Sequence, residues 1–111
     1  MPPALNLGEF EQLILLAILR LGDDAYGVTI RAELADRTGR NVAPGAMYTA
    51  LERLETKGLI ESRMSEPTPQ RGGRAKRKVT VTAAGMEAVT RAMQAYDRLL
   101  DGLNLTRGAH A

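Results

Sequence analysis

Five basic side chains, Arg71, Arg74, Lys76, Arg77 and Lys78, fall within eight consecutive residues (RGGRAKRK) that contain no acid. Guanidinium and ammonium groups at that density neutralise phosphate. The rest of the chain carries ten basic against thirteen acidic residues, so a mildly acidic domain bears one concentrated positive element, the footprint of a phosphate-binding surface. Other reactive chemistry is scarce. The chain has no Cys, which excludes a thiolate nucleophile, a disulfide framework and a Cys-ligated metal. Its one His, His110, stands next to the C-terminal residue, where little can hold it in a site. Glu52 and Glu55 are a carboxylate pair at i, i+3, but Arg53 and Lys57 beside them mark a solvated helix surface rather than a general acid and base. No catalytic residue, metal ligand or cofactor site is therefore assigned, and the chain is read as a binding protein, not an enzyme.

The elements that must position the basic segment come from 111 residues, 44% of them hydrophobic and 25% charged, the size and balance of one ordinary domain. Phe10, Tyr26, Tyr48 and Tyr96 are the only aromatics, so the core must be aliphatic. The longest apolar run, Leu13 to Leu19, is seven residues, against the roughly 20 needed to span a bilayer. The opening MPPALNLGEFEQ has neither a basic n-region nor a small-residue cleavage site. The expectation is a cytoplasmic protein with no membrane partner.

Residues Gly8 to Leu21 read as a helix that is apolar on nearly all sides, and so either central or covered by a second chain. A second helix, about Tyr26 to Thr38, carries the stripe Tyr26, Ile30, Leu34 and stops at Gly39. Pro44 opens a third, 44–57, with Met47, Leu51 and Leu54 on its buried face and Tyr48, Thr49, Glu52 and Arg53 turned elsewhere. The period then changes to two. Ile60 to Met64 and Ala75 to Val81 form a hairpin whose loop holds two Pro and two Gly (SEPTPQRGG), with Arg77, Val79 and Val81 on one face and Lys76, Lys78 and Thr80 on the other. From the N-cap Thr82 a last helix reaches about Leu103. Met86, Val89, Met93, Tyr96, Leu100 and Leu103 recur there at 3, 4, 3, 4, 3, a heptad seam widened by Ala88, Ala92, Ala95 and Leu99.

Three helices, a basic hairpin and a long helix make a mainly α fold with a small β-hairpin, the layout of a winged helix-turn-helix followed by one C-terminal helix. In that layout the third helix enters the major groove. Tyr48 and Thr49 there can hydrogen-bond bases or phosphates, Arg53 can pair with phosphate, and the basic wing of residues 65–78 meets the backbone. The competing reading keeps the fold but gives it an acidic protein or RNA as partner, without operator specificity.

The strings LGEFEQLILLAIL, DAYGVTIRAEL, PGAMYTALERLETKGLIESR and GGRAKRKVTVTAAG resemble the PadR-like transcriptional regulators over about residues 7 to 85. The most specific series is Pro44, Gly45, Tyr48, Leu51, Leu54, Gly58, Leu59 and Ile60, with Ala25, Tyr26 and Gly27 in support. The resemblance implies a homodimeric repressor that binds a near-palindromic operator in double-stranded DNA. It places Tyr26, Pro44, Gly45 and Tyr48 at the DNA and Gly72, Gly73 and Arg74 at the wing tip. Lys78 and Val79 stand where the family commonly has two tyrosines, which exchanges aromatic packing for charge.

The resemblance also implies dimerisation through the last helix and the partner's first. The residues left with surplus apolar surface are Phe10, Leu13, Met86, Val89, Met93, Tyr96, Leu100 and Leu103. Some short family members bind flat aromatic compounds between these helices on a tryptophan, which this chain lacks. Met93 and Tyr96 would offer a smaller stacking surface to a small aromatic effector, or serve as plain interface core. The expected organisation is a DNA-binding domain over 1–82, a dimerisation helix over 83–103 and a flexible tail over 104–111.

Overall fold

Capping residues and hydrophobic spacing set the helices. The computed structural model describes residues 7–65 and 76–105, and its elements run α1 (Glu9–Leu21), α2 (Gly27–Thr38), α3 (Pro44–Thr56), β1 (Ile60–Met64), β2 (Arg77–Val81) and α4 (Ala83–Leu100). At the start of α1 the Glu11 carboxylate accepts the Gly8 N–H at 3.2 Å, relieving a backbone donor that the first turn leaves open. A single 3-10 turn, Gly22–Asp24, leads towards α2. Tyr26 is the N-cap of α2 rather than its first residue, with extended backbone (φ −151°), and its N–H donates to Thr29 Oγ1 at 3.0 Å. Gly39 closes α2 in the left-handed region at φ 75°, where a Cβ would be strained.

The core is aliphatic, as the scarcity of aromatics requires. Ile14, Leu15 and Ile18 of α1, Ile30 and Leu34 of α2, Met47, Leu51 and Leu54 of α3, Leu59 and Ile60, and Val79 of β2 are all buried. Helix α1 takes the central position that its all-round apolar surface demands, touching α2, α4 and β2. The strands form one antiparallel ladder, with Ile60 opposite Val81, Ser62 opposite Val79 and Met64 opposite Arg77. Val79 N–H also donates to Ala25 O at 3.0 Å, which clips the hairpin to the turn ahead of α2.

Thr82 makes the corner between hairpin and last helix. Its hydroxyl accepts from Gly85 N at 3.0 Å and donates to Gly58 O at 2.7 Å, while its own N–H reaches Leu59 O at 3.0 Å. The start of α4 therefore lies hard against the α3–β1 connection. A Cβ on Gly85 would stand 2.1 Å from Leu59 O and 2.7 Å from a Val81 methyl.

Helix α4 ends at Leu100, one turn before the heptad pattern expires. Gly102 adopts φ 85°, a left-handed conformation that ends a helix. Leu103 thus lies past the helix. The seam also divides into two parts. Ala88 and Val89 are buried in the chain's own core, whereas Tyr96, Leu99, Leu100, Leu103 and Leu105 are exposed. Val89, expected at a dimer interface, is 3% exposed and is used up within the chain. Most of the apolar surface that α4 keeps to offer lies on its second half, with Met86 exposed near its start.

Candidate nucleic-acid interface

The buried stripe Met47, Leu51, Leu54 fixes α3 on the core and thereby turns its opposite side outward. Pro44, Gly45, Tyr48, Thr49 and Arg53 are all at least partly exposed there, with Tyr48 at 59% of its full area. This is the face the sequence assigns to DNA. Beside it an open, mostly apolar groove of about 460 Å³ runs between the N-termini of α2 and α3 and strand β2, walled by Tyr26, Val28, Pro44, Tyr48 and Lys76. Val28, which carries no motif in the sequence, is 64% exposed on this wall.

The basic segment divides by strand alternation. Lys76 folds over α2: its Nζ donates to Tyr26 Oη at 3.0 Å and lies 4.4 Å from the ring centroid. The hydrogen bond to Tyr26 raises the ammonium above the ordinary lysine value. Tyr26 thus supports Lys76 at the groove edge. Lys78 points outward from the hairpin, and the ladder sets it directly across from Arg63. Both side chains are exposed, and among the described residues neither has an ion-pair partner. Like charges directly opposed across two strands are unfavourable unless an anion joins them. Sequence motifs do not single out Arg63, and the signal for it is register: once the hairpin pairs, it must face Lys78. Arg71, Gly73 and Arg74 lie outside the described residues.

Arg77 departs from its expected role as a free phosphate contact. It lies on the inward face of β2, where Nη1 meets Glu52 Oε2 at 3.0 Å and Nη2 meets Glu55 Oε1. Ser62 Oγ donates to Glu55 at 2.9 Å, and the Arg77 guanidinium carbon sits 5.7 Å from the Tyr48 ring centroid. The physical reason is alternation: the residue between two outward lysines must face α3, and α3 presents two carboxylates one turn apart. Glu52 and Glu55 are therefore bound to the wing, not a free solvated pair.

The Arg77 guanidinium, and after it the Tyr48 hydroxyl, hold the Glu52 carboxyl below the ordinary carboxylate value. Because the folded-state value is lowered, the pair's contribution is complete above the unfolded-state pKa, about 4.3, and disappears as pH falls through the folded value. Thermal unfolding of the wild type and Glu52→Gln should therefore differ at pH 7, and the difference should shrink as pH falls below the ordinary carboxylate value and vanish once the lowered folded value is passed. A difference that persists unchanged in acid would show that Glu52 acts without its charge.

At the far end, Met93 and Tyr96 lie where the sequence puts them, on α4. Tyr96 Oη donates to Gln12 Oε1 of α1 at 2.9 Å, while the residue remains 47% exposed. Phe10 and Leu13 of α1 are partly buried against the core, and Met86 is 44% exposed. Among the described residues no helix is long and apolar enough to cross a membrane.

The profile of the transcriptional regulator PadR-like family matches residues 15–91. A transcriptional regulator of Mycobacterium tuberculosis is 35% identical over 77 residues, which cover 69% of this chain and 67% of that protein. Among solved structures, a PadR family transcription regulator from Clostridium difficile superposes with a TM-score of 0.66 at 27% identity, covering 83% of this chain and 95% of its own. A PadR-like regulator from Bacillus cereus shares the fold with a TM-score of 0.69 at 22% identity, over 86% of this chain and 87% of that one.

Proposed function

Since the chain belongs to the PadR-like family of transcriptional regulators, we propose that it is a homodimeric, cytoplasmic repressor that reads a near-palindromic operator in double-stranded DNA. The observation that carries this reading is the outward face of α3, Pro44, Gly45, Tyr48, Thr49 and Arg53, together with Arg63 and Lys78 of the hairpin, which have no ion-pair partner among the described residues. A helix fits the major groove with that face towards the bases, and the hairpin then lies along the phosphates. Lys76 borders the groove from the wing, and Arg71, Gly73 and Arg74 complete the residues assigned to DNA from the sequence.

Dimerisation is supported by the overhang of α4. Leu99 is 77% exposed, Leu103 60% and Tyr96 47%, a run of apolar surface that a second chain would remove from water. Residues 1–82 then form the DNA-binding domain, 83–103 the dimerisation segment with Phe10, Leu13, Met86, Met93, Tyr96, Leu100 and Leu103, and 104–111 a tail. A small aromatic effector would find Met93 and Tyr96 between the paired helices.

Selection of bound duplexes from a random pool at near-physiological salt tests the reading. An inverted repeat with half-sites about 10 bp apart, or a small multiple of that, is the expected result. Salt-sensitive binding without any recovered motif would instead favour a winged-helix module for RNA or an acidic protein. On the selected site, Arg63→Ala/Lys78→Ala should weaken all sequences evenly and flatten the salt slope by about 0.9 for each phosphate that is no longer neutralised. An unchanged slope would remove the hairpin face from the interface.

A further inference from the structure

Recognition helix and wing are joined by a polar cluster centred on Arg77. Arg77 of β2 grips Glu52 and Glu55 of α3, Glu55 also accepts from Ser62 of β1, and the Arg77 guanidinium lies beside the exposed ring of Tyr48. Residues 48, 52 and 55 are spaced i, i+4, i+7 and form one stripe along the helix. We propose that Arg77 is a positioning residue: it locks the wing to α3 and sets the Tyr48 ring for the operator, without itself contacting phosphate. This rests on the DNA-reading function proposed above and adds how its geometry is held.

The chemistry favours this role over a phosphate contact. A guanidinium has a planar fork whose two Nη groups meet two carboxylates at once in fixed directions, whereas a lysine offers one nitrogen without that set geometry. If Arg77 moved to a phosphate, Glu52 and Glu55 would be left as two like charges without their cation, close to the polyanion. The outward neighbour Lys78, with no ion-pair partner among the described residues, is available for the backbone without that penalty.

The test measures operator affinity and its salt dependence for Arg77→Ala, Arg77→Lys and both changes in a Glu52→Gln/Glu55→Gln background, with thermal unfolding to confirm that each folds. Arg77→Ala and Arg77→Lys should both lower operator affinity by about tenfold or more, with the salt slope kept within about 0.5 of wild type. In the double-Gln background Arg77→Ala should add less than about a twofold loss, because its partners are already gone. A Lys variant that behaves as wild type, a slope reduced by about 0.9 per protomer, or fully additive losses would overturn the proposal. The Tyr48 ring resonances of the free protein give a reading without DNA: they should move in Arg77→Ala, and unmoved resonances overturn the positioning role. If the wild type shows no sequence preference while those resonances do move, the operator reading fails and the positioning of Tyr48 stands.

Discussion

Gly85→Ala should destabilise the protein by about 3 kcal/mol or more and lower its Tm by roughly 10–20 °C. An added methyl at this position meets Leu59 O at 2.1 Å and Val81 Cγ1 at 2.7 Å. The first obstacle is a backbone carbonyl inside the α3–β1 connection, which also accepts the Thr82 N–H, so it cannot turn aside as a flexible side chain would. Alanine's better helix propensity offers only about 1 kcal/mol in return. To relieve the clash α4 must lift away, exposing Ala88 and Val89. Gly45 provides the control, because a Cβ there meets nothing within 4 Å: Gly45→Ala should hold Tm or raise it by a few degrees. Thermal unfolding by circular dichroism decides the matter, and a Gly85→Ala protein as stable as wild type would mean that the corner yields.

Leu99→Glu/Leu103→Glu should have the largest effect on function while leaving the fold intact. Both side chains are mostly exposed in the single chain, so the substitution removes little from the domain's own core. Across a two-fold axis, however, it sets four new carboxylates against each other near Asp97 and Asp101. Sedimentation equilibrium should show a monomer with wild-type secondary structure and near-normal Tm for the domain. Operator affinity should fall about a hundredfold or more, since a monomer holds one half-site and loses the effective concentration that the second supplies. A variant that stays dimeric would move the interface off the overhang of α4.

Much of this architecture is legible in the residue order because it is local. Spacing of Met47, Leu51 and Leu54, Pro44 at a helix start, Gly39 at a helix end and Thr82 as a cap each depend on neighbours within a turn or two. The strand alternation that separates Lys76 and Lys78 from Arg77 is equally local. What the alternation faces is not: Glu52 and Glu55 lie 25 and 22 residues from Arg77, and only folding makes them partners. Val89 shows the same limit from another side. Periodicity marks an apolar seam but carries no information on whether the chain's own core or a second chain covers it. Gly85 had a visible signal, since a glycine within the opening turns of a helix invites a packing explanation. The Leu59 carbonyl that supplies that explanation becomes apparent only in three dimensions.

The hydroxyl of Thr82, joined at once to Gly58 O and Gly85 N, makes α4 a lever arm with a stiff root. Eighteen residues of helix extend about 27 Å, so a tilt of about 5° at the root carries the tip through roughly 2 Å. Whatever grips the tip therefore acts on the α3–β1 connection with little slack. Serine at position 82 would preserve both bonds and the stiffness of the arm. Valine, nearly the same shape, would lose both bonds and leave the root held by the backbone N–H to Leu59 O and the packing of Ala88 and Val89.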